Sequence, residues 1–168
     1  TYRCFESRGI VTAARILETG WDGLVTLLDE GGYTRYDFST ADKLLRIFQS
    51  LAADYGGDLN LLHDRASDSL DLERRLKALG KGIGDITLSI FLRDLRGIWA
   101  KANPRPSPSV QRAMERLGIC DIATFAGGHS LSAVRLETAL LRLEKDLIRK
   151  DPSITVVFHE LQEHRHSW

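Results

Sequence analysis

The sequence predicts an all-α fold, a helical bundle of about eight or nine helices in a single domain over residues 1–168. Three observations predict it. Apolar residues recur three and four apart along most of the chain, the spacing that gathers them on one helix face. Glycine pairs and proline clusters punctuate those runs where helices end. Only residues 154–158 (ITVVF) read as a strand, and a lone strand has nothing to pair with.

Taken in order, residues 10–19 (IVTAARILET) and 22–30 (DGLVTLLDE) form two short helices, parted at Gly20 and ended by Gly31-Gly32. Ser39, with Asp42 three residues on, reads as the cap of a helix whose face is Ala41, Leu44, Leu45, Phe48 and Leu51. Gly56-Gly57 closes it, and a short piece follows over residues 59–65. Ser67-Asp68-Ser69 then caps a helix carrying Leu72, Leu76 and Leu79. Beyond Gly80, Gly82 and Gly84, residues 86–101 predict a helix with Leu88, Leu92, Leu95 and Trp99 on one stripe. Asn103-Pro104-Arg105-Pro106 breaks the chain, and Ser107-Pro108 supplies a cap and a first-turn proline for a helix that Gly118 ends. Leu136, Leu140, Leu143 and Leu147 mark a long helix over residues 132–150, stopped before Asp151-Pro152.

No apolar run reaches the roughly 18 residues of a membrane span, and the start has no signal-peptide layout. The two cysteines, Cys4 and Cys120, lie far apart without a CxxC. They suit a reducing, cytoplasmic setting and cannot hold an iron–sulfur cluster or a structural zinc. Net charge is zero, yet it is unevenly spread. From Lys77 to Arg116 eight cations face three carboxylates, an excess of +5 balanced by −5 elsewhere. A local basic stretch is the footprint of a polyanion-binding face.

That stretch begins at KALGKGIGDITLSIFLRDLRGIW, residues 77–99. GKGIG fits neither the Walker pattern nor GxGxxG, and both of those loops follow a strand. Here an amphipathic helix precedes it. Gly82 and Gly84 tolerate positive φ and let the chain reverse in a short span. The amides of Gly82, Gly84 and Asp85 are then unsatisfied donors at the start of the next helix, where the dipole favours a phosphate oxygen. Lys81 adds charge.

Residues 79–95, LGKGIGDITLSIFLRDL, resemble the helix-hairpin-helix of the endonuclease III-like (HhH-GPD) DNA glycosylase superfamily, in which the hairpin reads L-P-G-(V/I)-G-x-x-T-A. Gly82, Ile83, Gly84 and Thr87 match; Gly80 and Lys81 stand where leucine and proline are usual. Upstream, Gly31-Gly32-Tyr33 with the helix after it, and Gly57-Asp58-Leu59, resemble the family more faintly, so the resemblance spans about residues 15–118. It implies a DNA-repair-type protein whose hairpin amides hold a phosphate of duplex DNA, often beside a monovalent cation. Lys81, Gly82, Ile83, Gly84, Asp85 and Thr87 are the DNA-binding residues it implies, with Lys101, Arg105 and Arg112, and also Arg93 and Arg96, as secondary phosphate contacts.

The chemistry of the family does not carry over. Its lyase members place a lysine directly before the hairpin threonine; that position is Ile86 here, which cannot form an imine. Matching Arg116-Leu117-Gly118 to the family's helix end puts Ser107 where the catalytic aspartate belongs, and a serine cannot stabilise an oxocarbenium-like transition state as a carboxylate does. Asp94 or Asp121 would be a relocated acid. Only about ten residues precede the first expected helix, where family members have helices lining the base pocket.

Other residues were weighed as sites. The tail HELQEHRHSW sets His159 and Glu163, and Glu160 and His164, at i,i+4, without forming HExxH; no metal is expected. Tyr33, Arg35 and Tyr36 form an aromatic–basic cluster able to stack on a base, although packing on neighbouring helices is the commoner use of such tyrosines. Trp99 and Cys120 read as core, and His129 as a surface residue. The expected function is DNA binding without catalysis, in the cytoplasm and at the nucleoid. A glycosylase with a relocated acid and a helical protein-interaction module are the alternatives.

Overall fold

The computed structural model describes residues 1–148. The elements are α1 (Tyr2–Ser7), α2 (Ala13–Glu30), α3 (Asp37–Tyr55), α4 (Leu59–Arg65), α5 (Ser69–Ala78), α6 (Asp85–Asp94), α7 (Pro108–Arg116), α8 (Ile122–Gly128) and α9 (Ala133–Leu143), with a π turn over Glu144–Ile148. All are helical, and no strand occurs among the described residues. No helix among them is long and apolar enough to cross a membrane. The strand-like residues 154–158 and the histidine-bearing tail lie outside the described residues. The chain divides into two compact units, Thr1–Leu88 and Ser89–Trp168.

In the first unit α2 packs on α3. Ile16, Leu24, Leu28 and Ala41 are buried together, with Phe5 of α1 and Leu44, Leu45 and Phe48 of α3 against them. The break expected at Gly20 is present as a kink within α2, where φ is +67°, a value that a side chain would oppose. Gly56 closes α3 in the left-handed region, and Asp58 and Asp68 cap α4 and α5 by accepting from Asn60 N and Asp71 N. Ser39 is not a cap. Helix α3 starts earlier, at Asp37, and the Ser39 hydroxyl donates back to Tyr36 O at 3.1 Å. Helix α1 occupies residues read as preceding the first helix.

A carboxylate anchors α5. Asp71, 6% exposed, accepts from Arg74 Nη2 at 2.6 Å, Arg75 Nε at 2.9 Å and Ser67 N at 2.9 Å. Arg75 also donates to the Tyr55 hydroxyl at 3.3 Å, which ties α5 to the end of α3. Leu72, Leu76 and Leu79 are buried below.

In the second unit Val110, Ala113 and Leu117 of the α7 region pack with Ile119, Ile122 and Leu140. Ser107 caps α7 by accepting from Val110 N, with Pro108 in the first turn, as the sequence leads one to expect. The helix expected over 86–101 ends at Asp94. Turns follow, with Gly97 at φ +87°; Leu88, Leu92 and Trp99 are still buried, while Ile98 is exposed. Trp99 meets Phe91 edge-on at 5.9 Å. The long C-terminal helix leaves α geometry after Leu143, and α8 has no counterpart in the sequence reading.

Arg74 above all, then Arg75 and the Ser67 amide, hold the Asp71 carboxyl far below the usual carboxylate range. A depressed folded value stabilises the fold fully above the unfolded range near pH 4, and that contribution is lost as pH falls below it. Asp71→Asn should therefore melt lower than wild type at neutral pH, with the gap closing below about pH 4. Thermal melts across pH check this; parallel acid limbs would refute it.

Candidate nucleic-acid interface

The glycine stretch is a reversal between α5 and α6, inside the first unit. Gly80 N donates to Lys77 O at 3.4 Å and Ile83 N to Gly80 O at 3.5 Å. Gly82 has φ +107°, which strains any residue with a Cβ. Ile83 is half-buried, whereas Lys81, Gly82, Gly84, Asp85 and Thr87 are exposed. Among the described residues the amides of Lys81, Gly82, Gly84, Asp85 and Thr87 donate to no protein acceptor. Asp85 and Thr87 sit in the first turn of α6, whose N–H groups have no intrahelical partner.

Helix α3 sets the position of the reversal. A Cβ on Gly80 would lie 2.8 Å from Ile47 Cγ1, and one on Gly82 would lie 3.3 Å from Lys43 Cδ. The backbone therefore rests on α3, and Lys43 lays its methylenes over Gly82. Lys43 and Lys81 form no ion pair among the described residues. Lys43 was missed in the sequence, because nothing in its spacing links α3 to the glycines. The apolar Ile47 beside the expected stripe is the one signal that this side of α3 is covered.

Much of the basic stretch is internally paired. Lys77 Nζ lies 2.5 Å from Asp85 Oδ1, which raises the lysine pKa. In the second unit Arg93 pairs with Asp94 at 2.9 Å. Arg96 binds the buried Glu137 carboxylate and donates to Pro104 O at 2.6 Å. Arg112 Nε donates to Glu144 Oε1 at 2.9 Å, and Arg116 stands 3.8 Å from the same carboxylate. Glu137 and Glu144 come from outside the basic stretch, so folding cancels charge that the linear sequence leaves exposed. Lys101 is half-buried, and Arg105 is exposed without an ion-pair partner among the described residues.

The candidate acids are engaged. Asp94 holds Arg93, and Asp121 caps α8 by accepting from Thr124 N at 2.7 Å. That amide, with the Thr124 hydroxyl, lowers the Asp121 pKa and keeps it a carboxylate. Ser107 spends its hydroxyl on the α7 cap. Asp121 also borders a cavity of about 650 Å3 in the second unit, together with Arg96, Arg105 and Cys120. Cys120 is exposed rather than core. Ile86, where the family has its lysine, is 79% exposed. No group of three or more histidine, cysteine or acidic side chains able to hold a metal occurs among the described residues.

The tyrosines do not pack away as expected. Tyr33 and Tyr36 are exposed, with ring centroids 6.3 Å apart, and Arg35 lies 5.4 Å over Tyr36. Nearby, exposed Trp21 and Phe38 stack at 5.3 Å, and Trp21 Nε1 donates to Asp42 Oδ1. His129 is at the surface, stacked on Phe125 at 4.1 Å.

Glu137 holds Arg96 in an ion pair in which both side chains are largely buried. Glu137→Ala removes the buried carboxylate paired with that guanidinium and should cost about 3 kcal/mol of stability in urea unfolding. A loss below about 1 kcal/mol would place the pair with ordinary surface bridges.

No family model matches the chain, and no curated protein or solved structure does so either; a functional reading therefore starts from the reversal at 79–87 and its own chemistry.

Proposed function

We propose that this chain binds duplex DNA by its backbone phosphates, through the amides of Lys81, Gly82, Gly84, Asp85 and Thr87, as a DNA-repair-type protein that lacks the lysine and aspartate of the glycosylases it resembles. One observation carries the reading: the amides of the exposed residues Lys81, Gly82, Gly84, Asp85 and Thr87 have no protein acceptor among the described residues, and Lys43, which lies against Gly82, and Lys81 form no ion pair there. Donors of that kind, at a helix start and next to mobile cations, suit a phosphate oxygen and read no base. Arg105 extends the set of available cations; Arg112 and Arg96 contribute less, because carboxylates already hold them.

Binding without catalysis follows from the same residues. Ile86 offers no amine, Ser107 no charge, and Asp94 and Asp121 already serve as an ion-pair partner and a cap. A second reading, a helical protein-interaction module, is favoured by the exposed aromatic set of Trp21, Tyr33, Tyr36 and Phe38. Salt separates the two.

Duplex affinity should fall linearly in a log–log plot against salt, because bound phosphates release counterions. Lys81→Ala should reduce that slope by about one and, combined with Gly82→Ala, weaken all sequences alike. Fluorescence anisotropy with unrelated duplexes tests this. Absence of binding at low salt would leave the interaction module.

A further inference from the structure

Asp85 is an awkward residue for a phosphate site. It places a full negative charge on the first residue of α6, beside the amides that the proposed function offers to DNA. A carboxylate there is attracted by the same helix dipole and the same N–H groups as a phosphate. Left alone, it would compete with the ligand as well as repel it. The carboxylate is not alone. Lys77, in the last turn of α5, reaches across the reversal to Asp85 Oδ1 at 2.5 Å.

We propose that Lys77 is a positioning residue, which holds the Asp85 carboxylate aside and keeps the amides of Lys81, Gly82, Gly84, Asp85 and Thr87 open to phosphate. This rests on the hairpin reading above and deepens it. Two features support the role. The pair is on the surface, with Lys77 43% and Asp85 88% exposed, so it contributes little to folding. It also bridges residues eight apart on opposite sides of the reversal, where it sets the direction of a charge rather than the path of the backbone. Glu73, one turn earlier on α5, adds to the field that keeps Lys77 protonated.

Coulomb fields from fixed charges add, so a lysine that acted only at a distance would cost the same factor whatever stood at position 85. A lysine that restrains the carboxylate matters only while the carboxylate is there. That difference is the test. Duplex affinity at low salt is measured by anisotropy for wild type, Lys77→Met, Asp85→Asn and the double variant, with thermal melts to verify folding. Lys77→Met should weaken binding about tenfold, and less than about twofold once Asp85 is asparagine, a coupling in the range found for contacting residues. Lys77→Arg should bind like wild type. Equal factors in both backgrounds, with wild type binding normally, would overturn the positioning role and leave the hairpin reading intact. A wild type that binds no duplex would overturn both.

Discussion

The reversal at residues 79–84 depends on how closely its backbone can approach α3. Gly80 meets Ile47 and Gly82 meets Lys43 at distances that leave no room for an unyielding side chain. That packing brings the glycine backbone against α3, next to exposed residues whose amides have no protein acceptor among the described residues. The anchor for this arrangement is one helix back. Asp71 draws in two arginines and a main-chain amide, Arg75 reaches Tyr55, and α5 is thereby fixed against α3. A buried carboxylate and two tight glycines thus place donors that have no protein acceptor among the described residues.

Charge tells a related story. The stretch from Lys77 to Arg116 looks strongly basic as text, but Glu137 and Glu144 return from the C-terminal helix to neutralise Arg96, Arg112 and Arg116. Within that stretch, Lys81 and Arg105 are exposed without an ion-pair partner among the described residues. In the proposed function, recognition of a phosphate would fall to oriented backbone dipoles, which are neutral in net charge and act at short range. It also makes a single misplaced carboxylate, Asp85, consequential out of proportion to its count.

Most of the helices were legible because their signals are local. Asp68 and Ser107 announce helix starts through short polar side chains, and Gly20 and Gly56 mark breaks through conformations other residues resist. Ser39 misled because Asp37 opens α3 a half-turn earlier, with its own carboxylate accepting from Phe38 N. The helix through residues 86–101 was overextended because its apolar spacing persists through Trp99, although Gly97 turns the backbone. Short α1 and α8 carry too few residues for periodicity to register. At the candidate site the glycines were legible, and Lys43 was not: it arrives from a different helix. The pairing of Arg96 and Arg112 was hidden for the same reason, since the carboxylates lie 41 and 32 residues away.

The account is tested most directly by watching the glycine amides themselves. A chain labelled with 15N-glycine gives one resonance for each of its glycines, and unlabelled duplex DNA is added at low salt. The resonances of Gly82 and Gly84 should move furthest, while those of Gly56 and Gly128, at other helix ends, stay in place. Duplex that binds while Gly82 and Gly84 remain unmoved would contradict the account, because phosphate would then be held somewhere else.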